Sequence, residues 1–371
     1  MADADAYDTL ERLSETGLVP PGKARMIDVG TDTFVRFFEE EILDGFVARG
    51  GSTCRIFEGT YGSGKTHLLQ LIEHSALDRR MLVAKTDLSQ SLQFDDWRLI
   101  TKHVLEHCVA TIQGDRIESL PIVLERYGEI VDNAEVLLSP GMPHPGFARA
   151  MHLALTCEYP SNAAREKVHQ FLLGERVTVS DLSDHGIRRV KNPLSKRNSE
   201  HIIRTVAVGM ARLGMGGVAL LFDENERTLS TRSGRVSKKI MLTANAMRRL
   251  IDAFATGRIA HVLTLFAVLP GFIEGAEAAY PALGQRVGRP IPFRGVTGWR
   301  TPVLLLDDVN RFRDVDDFVE ELARRFGTLV GREDRVPDLQ EAGMRIVSTI
   351  AGSDYRRPLL KHMASTALRW A

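Results

Sequence analysis

Two hydrophobic rhythms run along this chain. Short apolar runs, each stopped by polar or turn residues, occupy positions 53–58, 81–87, 218–223, 261–268 and 302–306; runs of that length and composition read as strands buried on both faces. Elsewhere apolar residues recur every three to four positions, over 97–112, 118–137, 146–156, 161–173 and 199–213, and again over 315–326, 338–351 and 358–370. These read as helices with one buried stripe. Strands alternating with helices predict an α/β domain built on a largely parallel sheet. About 130 residues separate the second and third strands, far more than a crossover needs, which points to an inserted helical subdomain. No strong strand follows position 306, so the C-terminal stretch reads as a small helical lid. The expected division is 1–111 and 206–308 for the two parts of the core, 112–205 for the helical insertion and 309–371 for the lid. Residues 186–198 hold five basic side chains and no acidic one, and read as a mobile loop.

The chemistry is concentrated just after the first strand. Gly59, Thr60, Tyr61, Gly62, Ser63, Gly64, Lys65 and Thr66 match GxxxxGK[ST], with a strand before and an amphipathic helix, beginning at His67, after. This is the P-loop arrangement. Its glycines let the loop fold back so that successive backbone N–H groups face phosphate oxygens, and the helix that follows adds its positive end. Lys65 brings a mobile cation to the β- and γ-phosphates, and the Thr66 hydroxyl is a hard oxygen ligand suited to Mg²⁺. Gly59 to His67 are therefore the expected nucleotide-binding set, with ATP preferred over GTP as the ligand.

A second feature completes such a site. The run Val218-Ala219-Leu220-Leu221-Phe222 ends in Asp223-Glu224, an acidic pair at the tip of an apolar strand, similar to a Walker B segment. Asp223 is the expected partner of the metal, and Glu224 the expected base that orients and activates the attacking water. Glu226 reads as a loop carboxylate at the same edge.

Composition adds limits. Hydrophobic residues are 44% of the 371 and charged residues 26%, as in ordinary globular domains. No apolar run approaches the roughly 20 residues that a membrane span requires, and the acidic start lacks the pattern of a signal peptide; a cytoplasmic protein is expected. Lys plus Arg equals Asp plus Glu at 48 each, so net charge neither demands nor excludes nucleic acid. Cys54, Cys108 and Cys157 are widely spaced without a CxxC pair, and no disulfide is expected.

With these motifs in hand, the chain resembles the AAA+ and related P-loop ATPases. More narrowly, it is similar to the ATP-binding protein of bacteriophage-exclusion (BREX) defence systems. The residues that carry the likeness are Val19-Pro20-Pro21-Gly22-Lys23-Ala24 leading to Val29-Gly30, then Glu58 and the P-loop, Leu221 to Glu226, Leu283-Gly284-Gln285-Arg286 and Arg357-Pro358-Leu359-Leu360-Lys361. The resemblance implies an arginine finger at Arg286, reaching the γ-phosphate of a neighbouring subunit, and a sensor arginine at Arg357 that contacts nucleotide in cis, with Arg356 as its alternative. It also implies a homo- or hetero-oligomer, other defence-system proteins as partners, and possible contact with double-stranded DNA. One departure stands out: the fourth strand ends Phe266-Ala267-Val268-Leu269-Pro270, where relatives carry a polar sensor, leaving only Thr264 to fill that role. A slow, partner-dependent hydrolase is the corresponding expectation.

Other constellations are thinner. His103 and His107 lie one helical turn apart, a metal-ligand spacing, but no third ligand accompanies them. Basic residues at Arg188, Arg189, Lys191, Lys196 and Arg197, and at Arg227, Arg232, Arg235, Lys238 and Lys239, offer phosphate contacts to nucleic acid. Three functions compete: a DNA-associated ATPase switch or motor, a regulatory ATPase that controls a partner protein without DNA, and a small-molecule kinase. The acidic pair with its activating Glu, the insertion and the lid argue against the kinase.

Overall fold

The computed structural model describes residues 4–88, 92–188, 193–224, 238–288, 299–310, 312, 314–350 and 355–371. Its centre is a seven-stranded sheet in the order β4-β3-β2-β5-β6-β1-β7. The strands are β1 (Ser52–Glu58), β2 (Leu82–Leu88), β3 (Val109–Ile112), β4 (Asp115–Glu118), β5 (Val218–Glu224), β6 (Val262–Val268) and β7 (Val303–Leu305). Five of them, β2, β5, β6, β1 and β7, run parallel, so their C-terminal tips share one edge. That edge is where α/β sheets bind ligands.

All five strands expected from apolar runs are present within a residue or two of their expected bounds. Their side chains divide between two apolar layers. Phe57, Val83, Leu221 and Leu265 face the helix Lys65–Asp78, while Ile56, Ala84, Phe222 and Phe266 pack on the opposite side with helices from the stretch between β2 and β5 and from those that follow β5 and β6. Period-2 alternation across a doubly covered sheet explains why these strands read as predominantly apolar runs.

The region 97–137 corrects the sequence reading. The expected helix over 97–112 stops at His107, and the chain then forms the β3–β4 hairpin on the sheet edge, antiparallel to β2. Gln113 and Gly114 turn the hairpin with φ of 53° and 92°, a two-residue turn with both central residues left-handed. The second expected helix, over 118–137, is in fact Leu120–Gly128 followed by a short tight turn of helix at Ala134–Leu138. Helices Pro145–Thr156, Asn162–Leu172 and Ser199–Arg212 match their expected spans closely.

The C-terminal helices Val315–Leu329, Val336–Thr349 and Arg356–Leu368 form a separate apolar cluster. The N-terminal helix Ala4–Thr16 joins it: Leu10 and Leu13 are buried there with Leu359, Met363 and Ala367. Both chain ends thus meet beside the P-loop, although the sequence division assigned the first helix to the core.

Candidate nucleotide site

The loop between β1 and the helix Lys65–Asp78 is shaped by its glycines. Gly62 and Gly64 hold φ of 75° and 98°, a region open to glycine at little cost. Gly59 is needed for a different reason, since a Cβ there would stand 2.5 Å from Ser63 Oγ and 3.0 Å from Leu306 Cβ. Ser63 Oγ donates to Thr60 O at 2.7 Å, closing the loop on itself. Lys65 Nζ reaches back to Gly59 O at 2.8 Å and Thr60 O at 2.7 Å.

Across the sheet tip, Asp223 Oδ2 accepts a 2.6 Å hydrogen bond from Thr66 Oγ1. Residues 157 positions apart in sequence meet because β5 ends in the same edge as β1, with β6 between them. A hydroxyl and a carboxylate side by side supply two hard oxygens. Magnesium takes such ligands and draws the rest of its shell from phosphate and water, so the residues fit the ion. No group of three or more His, Cys, Asp or Glu side chains suited to a metal occurs among the described residues, and the His103 and His107 rings lie 4.6 Å apart, tilted by 48° to each other.

A cavity of about 680 Å³ surrounds these groups. One wall is the loop and helix from Tyr61 to Gln70, and another is the tips of β2 and β5, with Lys85, Asp87 and Asp223. A third, mostly apolar wall carries Leu18, Val19 and Ile27 from the N-terminal segment and Leu322 and Leu360 from the C-terminal helices. His67 Nε2 lies 3.0 Å from Asp28 Oδ1, and Thr31 Oγ1 donates to the same carboxylate at 2.8 Å. Because a carboxylate only accepts, the imidazole hydrogen sits on Nε2.

Both arginines at the start of the last helix line this cavity. Arg356 donates to Ser63 O of the loop and lies over the Phe318 ring at 5.8 Å. Arg357 donates to Tyr61 Oη at 3.1 Å. Arg286 is elsewhere: its Nε donates to Asp252 Oδ1 at 2.8 Å and it does not line the cavity. That hydrogen bond holds the Asp252 carboxyl below the usual carboxylate range. The Glu224 backbone closes β5, but its side chain, together with Glu226, Arg227, Arg232, Arg235 and the side chains of Lys238 and Lys239, lies outside the described residues. Arg189 and Lys191 do as well, while Lys196 pairs with Asp96 at 3.3 Å.

Thr264 does not reach the site. It is fully buried, in register with Cys54 and Leu220, four residues before the end of β6 and so about 13 Å from the tip at a strand's rise per residue. The residue beside Asp223 on β6 is Ala267, so the described part of that strand offers no polar side chain to the phosphate. Sequence reasoning missed Asp28, Lys85 and Asp87; the last two belong to the polar run Lys85-Thr86-Asp87 that follows the apolar start of β2, a signal that the tip of this strand borders an open site rather than core. Glu58, immediately before the loop, is buried, and burial, followed by the nearby Glu274, raises its carboxyl pKa against a hydrogen bond from the Gly271 backbone. All three cysteines are free thiols, and burial pushes Cys54 up to about 12.

Residues 3–136 match the model of a protein family described as BREX system ATP-binding protein BrxC/D. The matched segment contains the N-terminal helix, the P-loop, β2 and the edge hairpin, and it ends before Asp223. No curated protein matches the chain. Among the described residues no helix is long and apolar enough to cross a membrane.

Proposed function

We propose that this chain, an ATP-binding protein of the BREX defence family by its matched N-terminal third, is an AAA+-like switch that binds ATP with Mg²⁺ and hydrolyses it slowly within a defence complex. The observation that carries the reading is the 2.6 Å contact of Thr66 with Asp223 at the mouth of the P-loop: two distant motifs supply adjacent oxygen ligands beside a phosphate cradle. Magnesium, when bound, neutralises charge on the β- and γ-phosphates. The loop amides and Lys65 hold the phosphates, Thr66 and Asp223 hold the metal, and Glu224 takes the proton of the attacking water. Arg356 and Arg357 ride on the C-terminal helices and bring a second source of positive charge to the loop. In this reading the helices together with the N-terminal segment sense the nucleotide, because both contribute cavity wall.

Hydrolysis is slow in this reading because Ala267 occupies the place beside Asp223 where a polar sensor would help align the attacking water. Partners then set the rate. Arg286, held by Asp252 on the same chain, serves as the finger for a neighbouring subunit once assembly releases it. Double-stranded DNA is the proposed trigger or track, through the basic segments around Lys196 and past Asp223. The alternative, control of a protein partner without DNA, draws on the same missing sensor. Magnesium-dependent ATP turnover, measured with and without duplex DNA over a range of protein concentrations, tests the reading: stimulation by DNA supports the first form, and stimulation by concentration alone the second. Absence of any ATP binding overturns both.

A further inference from the structure

One side chain on the cavity wall has an unmet hydrogen-bonding demand. Gln70 lines the cavity and is 7% exposed, so it is more than nine-tenths buried. Its amide nitrogen donates to Val19 O at 3.4 Å; the opposite orientation would set two carbonyl oxygens against each other. That leaves Oε1 buried with no hydrogen-bond partner among the described residues. Leaving a buried acceptor unmet is unfavourable, and at a cavity wall a bound ligand can bring the missing donor.

Position says which part of the ligand arrives there. Gln70 is one turn beyond Thr66 on the P-loop helix, about 6 Å further along the axis, and it contacts Val19, which with Leu18 and Ile27 belongs to the apolar part of the cavity wall. The phosphates occupy the glycine loop, so the apolar end takes the base. His67, one turn before Gln70 on the same face, shows the same pattern: its Nε2 hydrogen is committed to Asp28, and its Nδ1 is buried without a partner. Both unmet buried atoms on the cavity wall belong to this one helix face.

We propose that Gln70 reads the nucleobase: with its amide nitrogen kept on Val19 O, a small shift of the side chain presents its carbonyl to accept a hydrogen bond from the exocyclic amine of adenine. Guanine presents an acceptor oxygen at that position and is disfavoured. The proposal rests on the nucleotide-binding reading above and deepens it, since that reading leaves the choice of base unassigned to any residue.

Calorimetry with ATP, with GTP and with purine riboside triphosphate, which lacks the amine, tests it. The wild-type protein is expected to bind ATP about five- to tenfold more tightly than purine riboside triphosphate, the worth of one hydrogen bond made to an otherwise unmet acceptor, and GTP more weakly still. Gln70→Met, which keeps length and apolar packing, should bind ATP and purine riboside triphosphate equally, while still losing all binding when Lys65→Ala is added. Should Gln70→Met fail to fold by circular dichroism, Gln70→Leu replaces it. Equal wild-type affinities for the two ligands overturn the proposal, as does a preference for ATP that survives in the variant. Failure of the wild-type protein to bind any triphosphate would instead remove the nucleotide site itself, a distinct outcome.

Discussion

Deleting the P-loop ammonium is the most direct perturbation. Lys65→Ala removes a cation whose Nζ donates to Gly59 O and Thr60 O. At about 4 Å and an effective dielectric near 20, its attraction to one phosphate charge is about 4 kcal/mol. A second phosphate adds a comparable amount, which the lost hydration of the ammonium and the release of two carbonyl hydrogen bonds, about 1 kcal/mol each, largely offset. A net loss of about 4 kcal/mol corresponds to roughly a thousandfold weaker ATP binding. The fold should survive, because the lysine is half-buried and its deletion opens no apolar core; a cost of about 1–2 kcal/mol is expected. Titration calorimetry read beside a thermal melt separates the two effects. Wild-type ATP affinity in a folded Lys65→Ala protein would refute the assignment of this loop as the phosphate site.

Other predictions address hydrolysis, assembly and acid stability. Glu224→Gln should bind ATP and lose turnover by about two or more orders of magnitude; an unchanged rate in a phosphate-release assay would pass the role to Glu226. Arg286→Ala should bind ATP normally and hydrolyse it poorly, and mixing it with Lys65→Ala protein should restore activity, because an intact loop then meets an intact arginine from the other chain. Full activity of Arg286→Ala alone, with a monomer by light scattering, would transfer the role to Arg356 or Arg357. On the helix Leu120–Gly128, burial acts to raise the Glu125 carboxyl, but hydrogen bonds from Arg165, His169 and Tyr159 outweigh it and hold the carboxyl below its ordinary value of 4.5. A depressed folded value means that its contribution is complete above about pH 4.5 and is lost as pH falls through the folded pKa. Glu125→Gln should therefore lower stability by about 1–3 kcal/mol at neutral pH, with the gap to wild type closing in acid below that point; a gap independent of pH in urea titrations would contradict the assignment.

Much of this molecule was legible in the order of its residues. The five parallel strands declared themselves because a strand covered on both faces is apolar over most of its length, and the P-loop because its glycines and Lys65-Thr66 are contiguous. Asp223, which meets Thr66 at the end of the loop, could be singled out from the acidic end of an apolar run. The β3–β4 hairpin was hidden, since four-residue strands fall below the length at which alternation separates from a helical pattern, and only the Gln113-Gly114 turn marked it. Local sequence likewise carried no sign that the first helix packs with the last, or that Gln70 keeps an unmet carbonyl at the cavity wall. Those facts depend on which distant segments the sheet order and the apolar clusters bring together. Secondary structure and contiguous motifs follow from short-range periodicity and covalent neighbours, whereas a site assembled from residues 18, 70, 223 and 356 exists only once burial of the apolar faces has folded the chain back on itself.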